Sequence, residues 1–431
     1  MSDYDVVVVG ASIAGCTTAT FLGRAGAKVA VLESHGDPTT YKRMCTHFIQ
    51  PSASPTIDRL GLHEPFLQAG ATRNDMNIWT RYGWICARTA DAPAPMRDHP
   101  GLNLRREKLD PMMREMAAST DGVELMLGQT VTELLRNGSP GGRVGGVVAR
   151  ERDGSQYELR TKLVVAADGR DSTVGKLADE PARRKPHNRF GYFALYRDTP
   201  LVTGESAQLW LTDPDCVYAF PTDDGLTLLA CMPHKDRLPE FRADPEQAMA
   251  RLYESLPDAP RLDPDKRVSK VMGKLELPNL TRRTSRPGLA FVGDAALAAD
   301  PLWGVGCGWA LQSGEWLAEA VTGSLGSEAE VDRALERYSA THDKQLSEHE
   351  KFCADYSTGR RFNPVERMLY RAAARDSVIA ERMSLMGGRW ITPRQMLTPA
   401  TIARIVRVNI SRSKRPLGLQ GAPSPTAAVA T

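Results

Sequence analysis

The segment Tyr4-Asp-Val-Val-Val-Val-Gly10-Ala-Ser-Ile-Ala-Gly15, read on to Lys28-Val-Ala-Val-Leu-Glu33, decides the fold. Val6, Val7, Val8 and Val9 are a β-branched run, which predicts a strand buried on both faces. Ala14, Thr18, Phe21 and Leu22 then recur at helical spacing, and a second apolar strand ends at Glu33. Strand, glycine turn, helix and strand make a βαβ unit. Gly10 and Gly15 let the backbone approach a pyrophosphate, and Ser12, Ile13 and Ala14 open the helix at its positive end. Glu33 lies about 20 residues on, where a carboxylate can hold an adenosine ribose. Ser12 stands at the middle glycine of the G-x-G-x-x-G pattern. Alone, the turn would also fit an unrelated α/β domain; its place after a strand, before a helix and upstream of Glu33 makes it a dinucleotide turn.

The rest of the chain is read against that unit. Its 431 residues suggest two or three folded units, and 25% charged with 42% hydrophobic residues is ordinary globular composition. A net charge of +3 gives no reason to invoke nucleic acid or an acidic membrane surface. No apolar run approaches the roughly 20 residues that span a bilayer. The seven cysteines are odd in number and irregular in spacing, so no zinc site and no CxxC pair is expected. Reduced thiols and an acidic N-terminus without signal-peptide features predict a cytoplasmic protein. Nothing in the sequence specifies an oligomeric state.

Residues 55–70 predict a short helix, 75–98 strands and loops, and 107–119 a third helix. Four strands follow, with a turn over 137–146. Past residue 176 the segments RFGYFALYRD, AQLWL, CVYAF and LTLLACMP read as consecutive strands, with Pro221-Thr-Asp-Asp-Gly225 turning the last two into a hairpin. Residues 244–256 predict a helix and KVMGKLELP another strand. GLAFVGD then returns to a buried strand, and a helix begins near Gly308. From 329 to 411 the pattern is helical, with Asn363-Pro364 and Thr398-Pro399 as helix starts. The expected fold class is α/β: a Rossmann-like domain with an inserted antiparallel sheet and a helical C-terminal region. The expected division assigns 1–74, 101–176 and 281–328 to the dinucleotide domain and 75–100 and 177–280 to the inserted substrate domain. Residues 329–411 form the helical region and 412–431 a disordered tail.

Two further motifs carry chemistry. Val164-Val-Ala-Ala-Asp168-Gly169 ends a strand in an Asp-Gly turn, which on its own is an ordinary feature. Gly293-Asp294 ends another buried strand, where the carboxylate can accept a hydrogen bond from a ribityl hydroxyl. Pro301-Leu-Trp-Gly304-Val305-Gly306 then opens a helix whose N–H groups can stabilise negative charge on a reduced flavin ring.

These three segments, in this order, resemble the class A flavoprotein monooxygenases, the p-hydroxybenzoate hydroxylase-like enzymes, and their neighbours the flavin-dependent halogenases and geranylgeranyl reductases. The resemblance covers about residues 1–330. It implies FAD held by Gly10, Ser12, Ile13, Ala14, Gly15 and Glu33. It also implies flavin-side contacts from Arg43 and Arg106, an adenine contact from the Val131 backbone, and roles for Asp168 and Gly169 toward both FAD and NADPH. Asp294 would meet the ribityl chain, and Pro301, Gly304, Val305 and Gly306 the isoalloxazine ring. Leu297 stands where the family often has His, and Gly175 where it has Arg.

No second G-x-G-x-x-G follows a strand, so NAD(P)H is expected to visit as a transient co-substrate. No cysteine pair supports the disulfide-reductase branch, and no Trp-x-Trp-x-Ile-Pro supports the better-known halogenases. Cys45 lies near where geranylgeranyl reductase-like proteins carry a cysteine by the ring. Cys45 and His47 are the only weak catalytic candidates; their alternative readings are a small buried thiol and a structural imidazole. The resemblance implies monooxygenation of a small organic, natural-product-like substrate by O2 through a flavin C4a-hydroperoxide. The runner-up is reduction of carbon–carbon double bonds. The substrate is expected between the flavin and the inserted sheet, near Tyr218, Phe220 and Pro221. No metal site is expected.

Overall fold

The fold is taken from a computed structural model that describes residues 3–86, 94–138, 141–411 and 416–418. Five parallel strands form its centre, in the order Leu289–Phe291, Gln156–Ala166, Tyr4–Val9, Val29–Glu33 and Val123–Leu127. Val7 faces both Val164 and Ala30 across the ladder. The unbroken valine run is buried, as a strand covered on both faces requires. The long strand Gln156–Ala166 also pairs antiparallel with Arg143–Arg150, which in turn pairs with Thr130–Asn137. Two residues of the predicted turn between that pair, 139 and 140, lie outside the described residues.

The helices Ile13–Arg24 and Gly306–Val321 cross on one face of this sheet. A Cβ on Gly314 would lie 2.8 Å from the Ala14 carbonyl oxygen, so glycine permits the approach. Arg106–Ala118 packs beside Ile13–Arg24. The two helices that open the glycine motifs are therefore anchored together, although far apart in sequence.

A second, seven-stranded sheet has the order Met272–Lys274, Gly191–Arg197, Leu226–Met232, Cys216–Pro221, Gln208–Leu211, Asn77–Thr80 and Gly83–Ile85. The predicted hairpin forms, with Asp224 at φ +59° in its turn. Gln208–Leu211, however, runs parallel to Asn77–Thr80, so the sheet is not wholly antiparallel. These two strands come from distant segments, and no hairpin constrains the pair to run antiparallel. A small sheet of Phe48–Ile49, Gly101–Asn103 and Thr72–Asn74 stands beside the hairpin, and Thr72 Oγ1 donates to the Pro221 carbonyl.

The helical region comprises Glu328–Ser357, Pro364–Ala373, Ser377–Gly387, Pro393–Met396 and Pro399–Ile410. Ser327, Asn363, Asp376, Thr392 and Thr398 each accept a backbone N–H at the start of their own helix. Most of the expected disordered tail, 412–415 and 419–431, lies outside the described residues. Residues 416–418 do have a partner, because the Leu417 N–H donates to the Ala374 carbonyl at 2.9 Å. Among the described residues, no helix is long and apolar enough to cross a membrane.

Candidate active site

The glycine turn is closed by contacts no other residue allows. Gly10 sits at φ +105°, and a Cβ there would lie 2.6 Å from the Ala167 carbonyl. A Cβ on Gly15 would lie 1.9 Å from the Gly10 carbonyl. Ser12 starts the helix without capping it; its Oγ instead accepts from Arg106 Nη2 at 2.8 Å. With no acid in the first turn, the N–H groups of Ile13 and Ala14 keep the field that favours an anion. Glu33 Oε2 accepts the Ala11 N–H at 3.0 Å, and Oε1 accepts the His35 N–H at 2.9 Å. Burial raises the Glu33 pKa, but the His35 and Ala11 backbone donors and the His35 ring outweigh it and hold the carboxyl below its ordinary value. Val131 is buried opposite Ala149, two residues beyond Gln129, whose N–H donates to the Glu33 carbonyl.

Arg114 was not anticipated. Its buried guanidinium donates to the Ala11 carbonyl at 3.0 Å and the Pro38 carbonyl at 2.6 Å, tying the glycine turn to the loop after the second strand. The available signal was spacing: Arg106, Asp110 and Arg114 fall at four-residue steps on one face of the predicted helix.

A chain of charged contacts forms the next wall. Arg106 Nε donates to Asp110 Oδ1 at 2.7 Å; Asp110 Oδ2 accepts the Lys42 N–H at 3.0 Å; Lys42 Nζ reaches Asp294 Oδ2 at 2.9 Å. Arg43, expected on the flavin side, is exposed, and among the described residues it pairs with no carboxylate. Asp110 holds the Lys42 backbone, and the half-exposed Lys42 side chain reaches Asp294. Burial pushes the Asp294 carboxyl up, yet Lys42 and Arg170 outweigh it and keep its pKa low.

Asp168 is committed to its own turn. Its two oxygens accept from Ser172 Oγ at 2.6 Å and the Val174 N–H at 2.9 Å, while Ser172 caps the short helix Thr173–Leu177. Burial leaves its pKa raised. Gly169, at φ +81°, faces open space. The glycine at 175 has a structural counterpart in Arg282, whose Nε would sit 2.9 Å from a Cβ at 175.

The loop 301–306 brings the third motif to the same end of the sheet. Asp300 accepts the Leu302 N–H at 2.8 Å, and His187 Nε2 lies 3.1 Å from its other oxygen. Gly304, at φ +61°, is pressed against Phe48, 2.1 Å from where a Cβ would stand. Val305 precedes a helix with no side-chain cap and no acid in its first turn. A Cβ at Gly306 would meet nothing nearer than Asp294 Oδ1 at 4.0 Å, so the carboxylate and the helix N-terminus share one space.

Tyr218 and Phe220 are each 2% exposed and pack edge-on, with ring centroids 5.2 Å apart. Tyr218 donates to the Leu302 carbonyl at 2.8 Å, and Phe220 lies 6.0 Å from Phe48. The Pro221 carbonyl accepts from Asn103 Nδ2 at 2.9 Å. These residues therefore form the joint between second sheet and loop. An open groove of about 640 Å³ between 281–287 and the helix Glu328–Ser357 includes only Leu297 among the motif residues.

His47, at φ +64°, is buried, and its Nδ1 accepts the Arg106 N–H at 3.2 Å. That lone pair is engaged at the start of the helix Arg106–Ala118. Cys45 Sγ accepts the His47 N–H at 3.2 Å and lies 4.0 Å from Arg106 Nη1 and 3.9 Å from Cys307 Sγ. The sequence spacing showed no cysteine pair; the fold makes one from residues on different motifs.

A family model described as an FAD binding domain matches residues 3–349. The chain belongs to that family. The site fits FAD: two uncapped helix N-termini, Glu33 and Asp294 converge on the ends of the parallel strands, and a glycine cradle closes between them. Over 419 residues the chain is 26% identical to kynurenine 3-monooxygenase of Salinispora arenicola (strain CNS-205), covering 92% of this chain and 88% of that protein. It is 25% identical over 364 residues to digeranylgeranylglycerophospholipid reductase of Methanocella arvoryzae, covering 79% of this chain and 82% of the relative. Among solved structures, p-nitrophenol 4-monooxygenase PnpA of Pseudomonas putida DLL-E4 aligns with a TM-score of 0.70 at 21% identity, covering 90% of this FAD-binding chain and 98% of its own.

Proposed function

We propose that this FAD-binding chain is a cytoplasmic monooxygenase that inserts one atom of O2 into a small organic molecule, with NAD(P)H as a transient co-substrate. The observation that carries the reading is the shared space of Asp294 and the uncapped helix at Gly306, on a loop whose Leu302 carbonyl is held by Tyr218. When bound there, FAD supplies the redox chemistry, accepting electrons from NAD(P)H and activating O2. The chain's own residues bind and orient. The helix at Ile13 faces the pyrophosphate, Glu33 takes the ribose, and Asp294 accepts from the ribityl chain. Arg106, fixed by Asp110 and Ser12, adds a cation that burial strengthens. Phe48, Tyr218 and Phe220 exclude water from the loop side. The substrate would sit between the loop and the second sheet, as pockets favour such junctions. The similarity to kynurenine 3-monooxygenase makes kynurenine-like aromatic amines the first compounds to test.

A second reading, reduction of carbon–carbon double bonds, is favoured by the Cys45 thiol beside the loop and by the similarity to a digeranylgeranylglycerophospholipid reductase. NAD(P)H oxidation with aromatic and polyene panels, with and without air, separates the two. The first reading expects substrate-stimulated oxidation and one atom of labelled O2 in the product. A product gaining two hydrogens equally well without air would overturn it.

A further inference from the structure

We propose that Cys45 and Cys307 are a peroxide-reactive dithiol that closes to a disulfide between the segment 41–47 and the first turn of the helix Gly306–Val321. Their sulfurs are 3.9 Å apart, although the residues belong to different motifs. A disulfide needs about 2.05 Å, so the sulfurs must approach by roughly 2 Å. Cys45 lies on an irregular segment and can adjust; Cys307 is fixed at the start of a helix. The surroundings divide the roles. Cys45 is partly exposed, accepts the His47 N–H and faces the Arg106 guanidinium, which favours its thiolate. Cys307 is buried behind it and has Cys45 as its sulfur partner. Burial pushes the thiols of Cys16, Cys86 and Cys216 up to about 12 and those of Cys231 and Cys353 higher, and the Cys45 contact with burial pushes Cys307 up as well, so Cys45 is the thiol that meets peroxide and Cys307 enters only through its 3.9 Å proximity.

The oxidant is hydrogen peroxide, which forms when reduced flavin reacts with O2 without substrate; only this source rests on the monooxygenase reading. The Cys45 thiolate attacks one peroxide oxygen, the O–O bond breaks, and the sulfur is oxidised to a sulfenic acid as hydroxide leaves. The Cys307 thiol then attacks that sulfur, the S–S bond forms, and the hydroxyl leaves as water with the thiol proton. Two thiols and one peroxide give one disulfide and two waters, and an added dithiol reverses the exchange. The bond would pin the segment whose Lys42 occupies Asp294, and that contact must yield when FAD takes the carboxylate.

The test treats full-length holoenzyme with stoichiometric hydrogen peroxide, independent of any substrate. Alkylation counting and peptide mapping then follow the thiols, with NAD(P)H oxidation measured before and after dithiothreitol. The expected result is loss of two alkylatable thiols, a Cys45–Cys307 linked peptide, and at least a fivefold fall in activity that dithiothreitol restores. In Cys307→Ser, excess peroxide, at least two equivalents, should carry Cys45 through the sulfenic to the sulfinic acid and give a loss, relative to that variant's untreated activity, that dithiothreitol does not restore. Wild-type protein with no linked peptide, or with the link and unchanged activity, would overturn the proposal. So would fully dithiothreitol-reversible inactivation of Cys307→Ser under that excess of peroxide. The wild-type mapping decides even where the variant does not fold, and external peroxide separates this outcome from failure of the monooxygenase reading.

Discussion

Asp294→Ala should weaken FAD binding while leaving the apoprotein folded. The carboxylate is mostly buried and shares its space with the helix N-terminus at Gly306, so the bond it makes to a ribityl hydroxyl is charge-assisted and shielded from water. Such a bond contributes about 1.5–3 kcal/mol. At about 1.4 kcal/mol per decade, Kd should rise roughly ten- to a hundredfold. Asn keeps the shape and one acceptor without the charge, so Asp294→Asn should fall between Ala and wild type. Lys42 is the internal control. Its side chain is half exposed, and exposed pairs contribute about 0–1 kcal/mol, so Lys42→Ala should change Kd by less than about fivefold. The assay titrates apoprotein with FAD by flavin fluorescence, with circular dichroism and Tm of each apo form as the folding control. An Asp294→Ala protein that binds FAD within twofold of wild type, or a Lys42→Ala protein as weak as Asp294→Ala, would refute the assignment.

Heating the purified yellow protein should release FAD and not FMN, because Glu33 and the Gly10 turn are built for the adenosine half; chromatography of the supernatant decides. Tyr218→Phe should leave the buried Leu302 carbonyl without its donor and cost about 1–3 kcal/mol, read as a lower urea midpoint at unchanged m. Burial and Arg389 push His342 and His349 down to about 4, from an ordinary 6.5. The unfolded chain therefore binds more protons below pH 6.5, and stability should fall from there toward pH 4 by up to about 1.4 kcal/mol per pH unit per imidazole. A flat stability profile between pH 6.5 and 5 would remove both histidines from this account.

Local turn chemistry made part of the site legible. Gly10, Glu33 and Asp294 are tied to strand ends and Gly15 to the first turn of the helix that follows, where the backbone itself dictates residue type. The strand runs were equally legible, since period and β-branching belong to each segment alone. Contacts made by tertiary approach were not. That Lys42 reaches Asp294 depends on which backbone N–H Asp110 holds, in a loop without periodicity. The Cys45–Cys307 approach depends on a helix supplied from the far end of the chain. His47 could be read as a structural imidazole or a catalytic candidate, but nothing in the sequence shows that the ring would turn back, at positive φ, to meet the Arg106 N–H. The parallel pairing of Gln208–Leu211 with Asn77–Thr80 was hidden for the same reason, as each strand is ordinary and only their meeting is informative.

The parallel sheet receives its strand Leu289–Phe291, and its second glycine helix, only after the chain has passed through the whole seven-stranded sheet. During synthesis the Gly10 turn, Glu33 and Arg106 leave the ribosome long before Asp294 and Gly306. Until then the helix Ile13–Arg24 lacks the helix whose Gly314 packs against it. The nascent N-terminal half thus waits with an apolar flank uncovered, a state of high contact order and aggregation risk. Because FAD draws on both early and late residues, it rewards only the finished topology, and by mass action it acts as the final clasp on a fold whose ends must find each other.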